Sequence, residues 1–151
     1  MRLKHLAIGI LLASTILLIL LLIYQRQTPQ YVFVGTMYVN DCGQPYGGWE
    51  WVGEYDVRIE NNIMTLVFRA GLGDPLEKHE YNVRIVEFIE RKHVLILIEN
   101  DSKWVKIEFK YYEKDPIWNE WNGYYIAHYV NATIFPGFAP HFYVEIRIRP
   151  A

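Results

Sequence analysis

Aromatic side chains next to amides and carboxylates are the residues of this chain best suited to binding chemistry. Between residues 115 and 125, two tryptophans and two tyrosines stand among asparagine and glutamate, and another tryptophan shares a strand face with lysines and a glutamate. An exposed aromatic ring offers an apolar plane with a hydrogen-bonding edge, which suits sugar stacking or a protein interface. The candidate binding residues are Trp104, Trp118, Trp121, Tyr124 and Tyr125.

The same loop has a second interpretation. Trp118 and Trp121 can fold back and plug one end of the domain. They would then add to the buried apolar surface and form no exposed binding platform. Both alternatives are open at the level of the sequence.

Two tripeptides match the acceptor pattern for N-glycosylation, Asn100-Asp101-Ser102 and Asn131-Ala132-Thr133. Asn100 falls in a predicted hairpin loop. Asn131 is predicted on the outward face of a strand with Tyr125 and Ala127, opposite an apolar face of Ile126, Val130 and Ile134. Both asparagines are therefore candidate glycosylation sites, provided that the domain lies outside the cytoplasm.

Metal binding and catalysis are not indicated by the spacing of the titratable residues. The histidines are scattered, His128 is predicted as a hydrogen-bonded residue at the core edge, and Cys42 has no neighbouring histidine. Carboxylates at glycosidase spacing arise from strand alternation alone, and no nucleophile elbow, phosphate-binding loop or dinucleotide fingerprint is present. The sequence predicts no catalytic residue, no metal and no cofactor; a small envelope enzyme is the least favoured alternative.

Composition describes a folded domain without an internal disulfide. The 151 residues are 52% hydrophobic and 16% aromatic, with a single cysteine. Residues 1–26 hold three basic and no acidic side chains, which leaves 12 basic and 17 acidic side chains in the remainder. Because that remainder is acidic and has no basic patch, a nucleic-acid partner is not expected.

An uncharged apolar segment runs from Leu6 to Tyr24, with Ser14 and Thr15 as its only mild polar breaks. As a helix its 19 residues would span about 28 Å, close to the ~30 Å hydrocarbon core of a bilayer. The segment is longer than the apolar region of a cleaved signal peptide and ends in Tyr24-Gln25-Arg26-Gln27 without a small-residue cleavage pair. It is predicted to be an uncleaved signal-anchor helix in the lipid bilayer.

The charges flanking this segment predict its orientation. Two basic side chains and the α-amino group precede it, whereas only Arg26 follows it, and the positive excess belongs on the cytoplasmic side. The predicted organisation is a cytoplasmic tail (residues 1–5), a transmembrane helix (6–24), a short linker (25–30) and an extracytoplasmic β-domain (31–151). The predicted location is the cell membrane.

Alternation of apolar and polar residues with a period of two continues through the rest of the chain, which is typical of β-strands. The sequence therefore predicts an all-β domain of about eight strands, an antiparallel β-sandwich or a small barrel. The stretch Pro75–Glu80 can hold a helical turn at most. The predicted strands are Tyr31–Asn40, Trp49–Glu60, the segment after Asn62, Tyr81–Glu90, Val94–Glu99, Lys103–Glu113, Tyr124–Phe135 and His141–Arg149.

The hairpin around Asn61-Asn62 is the most firmly specified. Asparagine tolerates the positive φ of a two-residue type I′ turn, and the turn and the apolar pattern give the same register. The same alternation predicts that Trp49 and Trp51 lie in the core. The pairs predicted on the apolar face are Ile59 with Met64, Val57 with Leu66, and Tyr55 with Phe68.

A three-residue loop, Asn100-Asp101-Ser102, is predicted for the second hairpin, because a two-residue loop would set Leu97 opposite Lys106. Every residue from 94 to 98 is apolar, which predicts a central strand covered on both faces. Whichever length is chosen for the loop between Glu90 and Val94, Glu87 falls among apolar residues. A bulge is therefore expected near Glu87. The three-residue loop pairs Leu97 with Val105 and Leu95 with Ile107.

These features lead to a functional hypothesis. The chain is expected to be a single-pass membrane protein whose β-domain is a binding or accessory module for a membrane-protein, envelope or glycan partner. The alternative is a subunit of a pilus-like filament, since a basic leader, an apolar helix and a β-rich head are similar in layout to archaeal pilins and flagellins. Their leader-cleavage motif is replaced here by Lys4-His5.

Overall fold

A computed structural model describes residues 2–27, 30–42, 50–71, 78–115 and 120–151. The chain divides into two compact units, Met1–Gln30 and Tyr31–Ala151. The first is a helix and the second is built from β-strands.

The first unit contains the helix α1, Arg2–Gln27. Its 22-residue segment Leu3–Tyr24 is long and apolar enough to cross a membrane, with a mean hydropathy of 3.0. The hydroxyls of Ser14 and Thr15 both donate to the carbonyl of Leu11, at 2.8 Å each. Because these polar groups are satisfied inside the helix, they reduce the cost of placing the segment in lipid.

The second unit is a closed antiparallel barrel in which each strand pairs with its neighbours in sequence and β8 returns to β1. The sequence left a sandwich and a barrel as alternatives, and the structure is the barrel. The strands are β1 (Phe33–Asp41), β2 (Glu50–Glu60), β3 (Ile63–Gly71), β4 (Lys78–Ile89), β5 (His93–Asn100), β6 (Lys103–Tyr112), β7 (Tyr124–Asn131) and β8 (Phe142–Pro150).

The β2–β3 hairpin has the predicted turn. Asn61 and Asn62 have φ values of 53° and 62°, as a type I′ turn requires. Beyond Tyr55 a register shift sets Glu54 opposite Ala70, and the Arg69 guanidinium bonds the Glu54 carboxylate at 3.2 Å. All three predicted pairs are present: Ile59 with Met64, Val57 with Leu66, and Tyr55 with Phe68.

The β5–β6 hairpin corrects the predicted register. Its turn contains two residues, Asp101 and Ser102, both at positive φ, and Leu97 lies opposite Lys106 after all. A single-layer barrel has only one interior, so β5 is not covered on both faces: Leu95 and Leu97 are half-buried on the outer wall. The inward residues are the other set, Val94, Ile96 and Ile98, with Ile96 opposite Ile107 and Ile98 opposite Val105.

Bulges account for further features of the sheet. The expected irregularity near Glu87 is present, between Ile85 and Glu87. A second register shift inserts Val52, which packs on the core and turns Trp51 outward, where it is 44% exposed. The prediction that Trp51 lies in the core is therefore wrong, and Trp49 lies outside the described residues.

Strand β7 also differs from its prediction. It ends at Asn131, because the next three residues form a 3-10 helix (Ala132–Ile134) capped by the Asn131 side chain. Tyr125 and Ala127 face the core, not Ile126, and a bulge before Val130 restores that residue to the inward face. The stretch Pro75–Glu80 is predicted to hold a helical turn at most, but its last part belongs to a strand, because β4 begins at Lys78.

Side chains fill the barrel and close both ends. Phe135 is buried at one end, where the Tyr81 hydroxyl donates to the carbonyl of Pro136. At the other end the Phe88 ring contacts Tyr31 and Phe33 edge-on. Eight-stranded barrels are just wide enough for side chains to fill. Core residues at most 3% exposed include Phe33, Met37, Val57, Ile59, Met64, Leu66, Val94, Ile96, Ile98, Phe109, Ile146 and Ile148.

Candidate functional site

The structure separates the predicted binding residues. Trp104 lies on the outer wall of β6, whereas Trp121 and Tyr124 contact each other edge-on, with 4.9 Å between their ring centroids. Tyr125 is 2% exposed in the core, and its hydroxyl accepts a hydrogen bond from the backbone N–H of Arg91. Trp118 lies outside the described residues.

Trp121 packs against the outer wall of the barrel and not into its end. Below it lies Arg147, which projects from the outer face of β8 but is only 1% exposed. The Arg147 guanidinium lies 5.1 Å from the Trp121 ring and 5.5 Å from the Tyr38 ring, and it bonds the Asp115 carboxylate at 3.1 Å. Burial raises the pKa of the Tyr38 hydroxyl, and the Glu54 carboxylate adds to that effect.

Two further groups complete this buried cluster. Glu145 accepts a hydrogen bond from Arg147 Nε at 2.6 Å and approaches His128 Nδ1 at 3.1 Å. The Arg147 guanidinium is therefore bonded by two carboxylates, those of Asp115 and Glu145. This arrangement fastens the segment that carries Asp115 and Trp121 to the barrel, which is a structural role.

Trp104 has different surroundings. Its side chain is 37% exposed, and the Arg84 guanidinium lies over its ring at 4.2 Å from the centroid. The distance is that of a cation–π contact, which keeps the guanidinium next to the indole. Arg84 is exposed on β4, and among the described residues its guanidinium meets no carboxylate.

A shallow cleft adjoins this wall. It has a volume of about 320 Å³ and is lined by His79, Glu80, Tyr81, Asn82, Glu99 and Pro136. Glu99 lies directly opposite Trp104, and the Asn82 amide donates to the Glu99 carboxylate at 2.7 Å. Through Glu99 the exposed indole therefore neighbours a polar depression that offers carboxylate and amide groups to a ligand.

A second cation lies on the same wall. Arg84 pairs with Leu97 and Leu97 pairs with Lys106, so the two cations flank a half-buried leucine in one cross-strand row. Neighbouring strands are about 5 Å apart, which puts the two backbones roughly 10 Å from each other. Lys106 also has no ion pair within the described ranges.

The two candidate glycosylation sites converge on one residue. Asn131 Oδ1 accepts from the backbone N–H and the hydroxyl of Thr133, while Asn100 Nδ2 donates to the Thr133 carbonyl at 2.7 Å. Both asparagines are half-buried. Their side chains tie the β5–β6 hairpin to the 3-10 helix, so each has a structural function in the folded domain.

Cys42 and the histidines occupy separate places. Cys42 donates from Sγ to the backbone carbonyl of His141 at 3.1 Å, and its thiol is partly exposed. Within the part of the chain that the structure describes, no group of three or more His, Cys, Asp or Glu side chains is arranged to hold a metal ion.

Comparison with known proteins gives no assignment: no protein-family model matches the sequence, and no curated protein and no solved structure matches the chain. The site must therefore be interpreted from its own geometry.

Sequence reasoning singled out Trp104 but not Arg84 or Lys106. Arg84 reaches Trp104 across β5, so their contact depends on the register of two hairpins. The residue pattern contains part of this information. Once a two-residue turn is placed at Asp101-Ser102, the outward-facing side chains are those of Trp104, Glu99 and Lys106.

Proposed function

We propose that this chain is a single-pass membrane protein that presents its β-barrel outside the cytoplasm as a binding module, and that the ligand is bound on the outer wall around Trp104. The partner would be a glycan, an envelope component or a membrane protein. Two observations support this proposal: a helix apolar and long enough to anchor the chain in a membrane, and a barrel whose interior is filled by its own side chains.

The anchoring part rests on α1. Its Leu3–Tyr24 segment carries one charged side chain, Lys4, close to its start. The positive charges before the segment favour a cytoplasmic N-terminus, which would put the barrel on the opposite side of the membrane.

The binding part rests mainly on one observation: beside a cleft, an exposed indole contacts a guanidinium that forms no ion pair within the described residues. Since the barrel is packed inside, the outer wall is where a ligand can make contact. Exposed tryptophan and arginine are the side chains that contribute most to binding free energy in interfaces. By contrast, Trp121 is held against Arg147 and supports the fold.

Membrane orientation can be tested with the single native cysteine replaced. In a Cys42→Ser background, Lys92→Cys introduces a thiol in the exposed β4–β5 turn, and Lys4→Cys introduces one at the start of α1. A membrane-impermeant maleimide should label the Lys92→Cys variant in intact cells and the Lys4→Cys variant only after permeabilisation. The reverse pattern would refute the proposed orientation.

The binding surface can be tested with a matched pair of tryptophans. Trp104 and Trp51 are exposed to a similar extent on different strands, 37% and 44%. The full-length protein is crosslinked in its native membrane, and the crosslinked species is identified by mass spectrometry and then titrated with purified protein. Trp104→Ala should weaken that binding at least tenfold and Trp51→Ala should not. Equal binding by both variants would contradict the proposal.

A further inference from the structure

Among the residues that the structure describes, the Arg84 guanidinium is paired with no carboxylate. Arg58 pairs with Glu60 and Arg69 with Glu54, whereas Arg149, like Arg84, lies over an aromatic ring, that of Tyr124. The Arg84 guanidinium carbon lies 4.2 Å from the centroid of the Trp104 ring, so one side of the guanidinium faces the indole. Its N–H edges are left to hydrogen-bond a planar acid, because a carboxylate accepts two parallel N–H bonds from a guanidinium.

The surroundings of Arg84 restrict what such an acid can be attached to. Leu97 and the open part of the Trp104 indole form an apolar strip, with Lys106 beyond it in the same row. An apolar ring face fits that strip, with its negative group between the two cations. A sugar ring has such a C–H face, and aromatic planes suit it.

The polar side of the site favours hydroxyl donors. Glu99 and Asn82 lie next to Trp104, and Glu80 lines the same cleft. A carboxylate cannot donate a hydrogen bond, so Glu99 and Glu80 can only accept from a ligand's hydroxyls. Glu80 is paired with Lys78 at 2.6 Å, so the charge that would repel a further anion is mainly that of Glu99. A ligand with a single acidic group and several hydroxyls on each ring therefore fits better than an acidic peptide.

We propose that Arg84, Trp104 and Lys106 form a binding site for a carboxylated sugar, a hexuronic acid residue of an acidic glycan. Arg84 binds the carboxylate through its N–H edges, Lys106 adds a second positive charge, and Trp104 with Leu97 supports the ring. Asn82 and Glu99 then bond the hydroxyls that point toward the cleft. This inference rests on the proposed function and specifies its ligand.

The test uses the full chain in lipid nanodiscs and two sugar probes, a galacturonate trisaccharide and the neutral galactose trisaccharide of the same linkage. Calorimetric titration should give binding of the acidic probe that is at least tenfold tighter than that of the neutral probe. Binding should weaken with added salt, because exposed charges are screened.

Substitutions at the proposed contact residues test which side chains bind the acidic sugar. Arg84→Gln should weaken binding of the acidic probe at least tenfold, and Arg84→Lys should restore only part of it, because an ammonium cannot form the two parallel bonds. Lys106→Gln should have a smaller effect in the same direction. Lys92→Gln, in the β4–β5 turn at the opposite end of β5, is the control and should leave binding unchanged.

Several results would overturn this inference: equal binding of both sugars, no effect of Arg84→Gln, or Arg84-dependent binding of a glutamate hexapeptide in place of the sugar. These results are separable from failure of the proposed function. A ligand of another class whose binding depends on Trp104 would retain the proposed function, whereas Trp104→Ala without effect on any partner would remove it.

Discussion

The Asp115 carboxylate bonds the Arg147 guanidinium at 3.1 Å on the outside of the barrel wall, yet both side chains are almost completely buried. They lie under Trp121, whose ring covers the guanidinium. An ion pair in such a place is sensitive to the loss of either partner, because without Asp115 the buried guanidinium keeps only its bonds to Glu145.

Asp115→Ala should therefore destabilise the protein by about 3 kcal/mol, the range for breaking a buried ion pair. Urea unfolding of the full chain in detergent, followed by tryptophan fluorescence, measures the change. Asp56→Ala is the control, since Asp56 is exposed and lies 3.7 Å from Arg69; its cost should be about 0.5 kcal/mol. Similar costs for the two variants would show that the cluster does not hold the segment in place.

Alkaline pH should destabilise the barrel through two tyrosines. Burial raises the pKa of Tyr125 and of Tyr38 above the ordinary value of 10.0. Above that value the unfolded chain loses these protons while the folded chain keeps them, so the free energy of unfolding falls as pH rises. Below pH 10 the contribution is fully present.

Urea midpoints measured across the alkaline range check this dependence. Tyr38→Phe removes one of the two groups and should make the decline less steep. Tyr129→Phe is a suitable control, because Tyr129 is 61% exposed. An unchanged slope in Tyr38→Phe would mean that this hydroxyl titrates equally in both states.

The β2–β3 turn should accept glycine and reject a β-branched residue. Asn62 has a φ of 62°, a conformation that costs most L-residues about 1–2 kcal/mol. Asn62→Val should lower the free energy of unfolding by about that amount, while Asn62→Gly should leave it nearly unchanged. Thermal unfolding of the two variants side by side gives the comparison, and equal melting temperatures would refute the type I′ assignment.

An added methyl group should strongly destabilise the protein at one strand glycine, Gly35, and should have little effect on stability at another, Gly53. A Cβ on Gly35 would lie 1.7 Å from the backbone oxygen of Arg147, a distance that requires β1 and β8 to separate. A Cβ on Gly53 would meet its nearest atom, the Ala70 carbonyl oxygen, at an ordinary 3.5 Å.

Gly35→Ala should therefore cost more than about 4 kcal/mol or prevent folding, whereas Gly53→Ala should stay within about 1 kcal/mol of the parent. Circular dichroism of the purified full-length variants separates these outcomes. A folded Gly35→Ala variant of parental stability would mean that β1 and β8 are less closely paired than the structure has them.

The sequence predicts the barrel best where two independent signals agree. At Asn61-Asn62 the turn residues and the apolar alternation both select the same register, and the pairs are as expected. In β5 the alternation is lost because every residue from 94 to 98 is apolar. The turn residues are then the only indicator of the register. The turn in the structure has two residues and not the predicted three.

Other features could not be predicted because they depend on contacts distant in the sequence. Trp51 faces outward because Val52 forms a bulge against β1. Arg147 lies on the outer face of β8, but it is buried because Asp115 and Trp121 cover it. The candidate site has the same origin, since Trp104 was visible in the sequence while its contact with Arg84 requires the registers of three strands.

Closure of the barrel by pairing β8 with β1 has a consequence for biogenesis. The ribosome produces β1 early, whereas β8 is synthesised only after the 100 residues that separate the two strands. During that interval the edge of β1 that pairs with β8 is open to aggregation, and such long-range pairing is slow. We therefore expect the barrel to close only after its final strand has been made, and to need protection from aggregation until then.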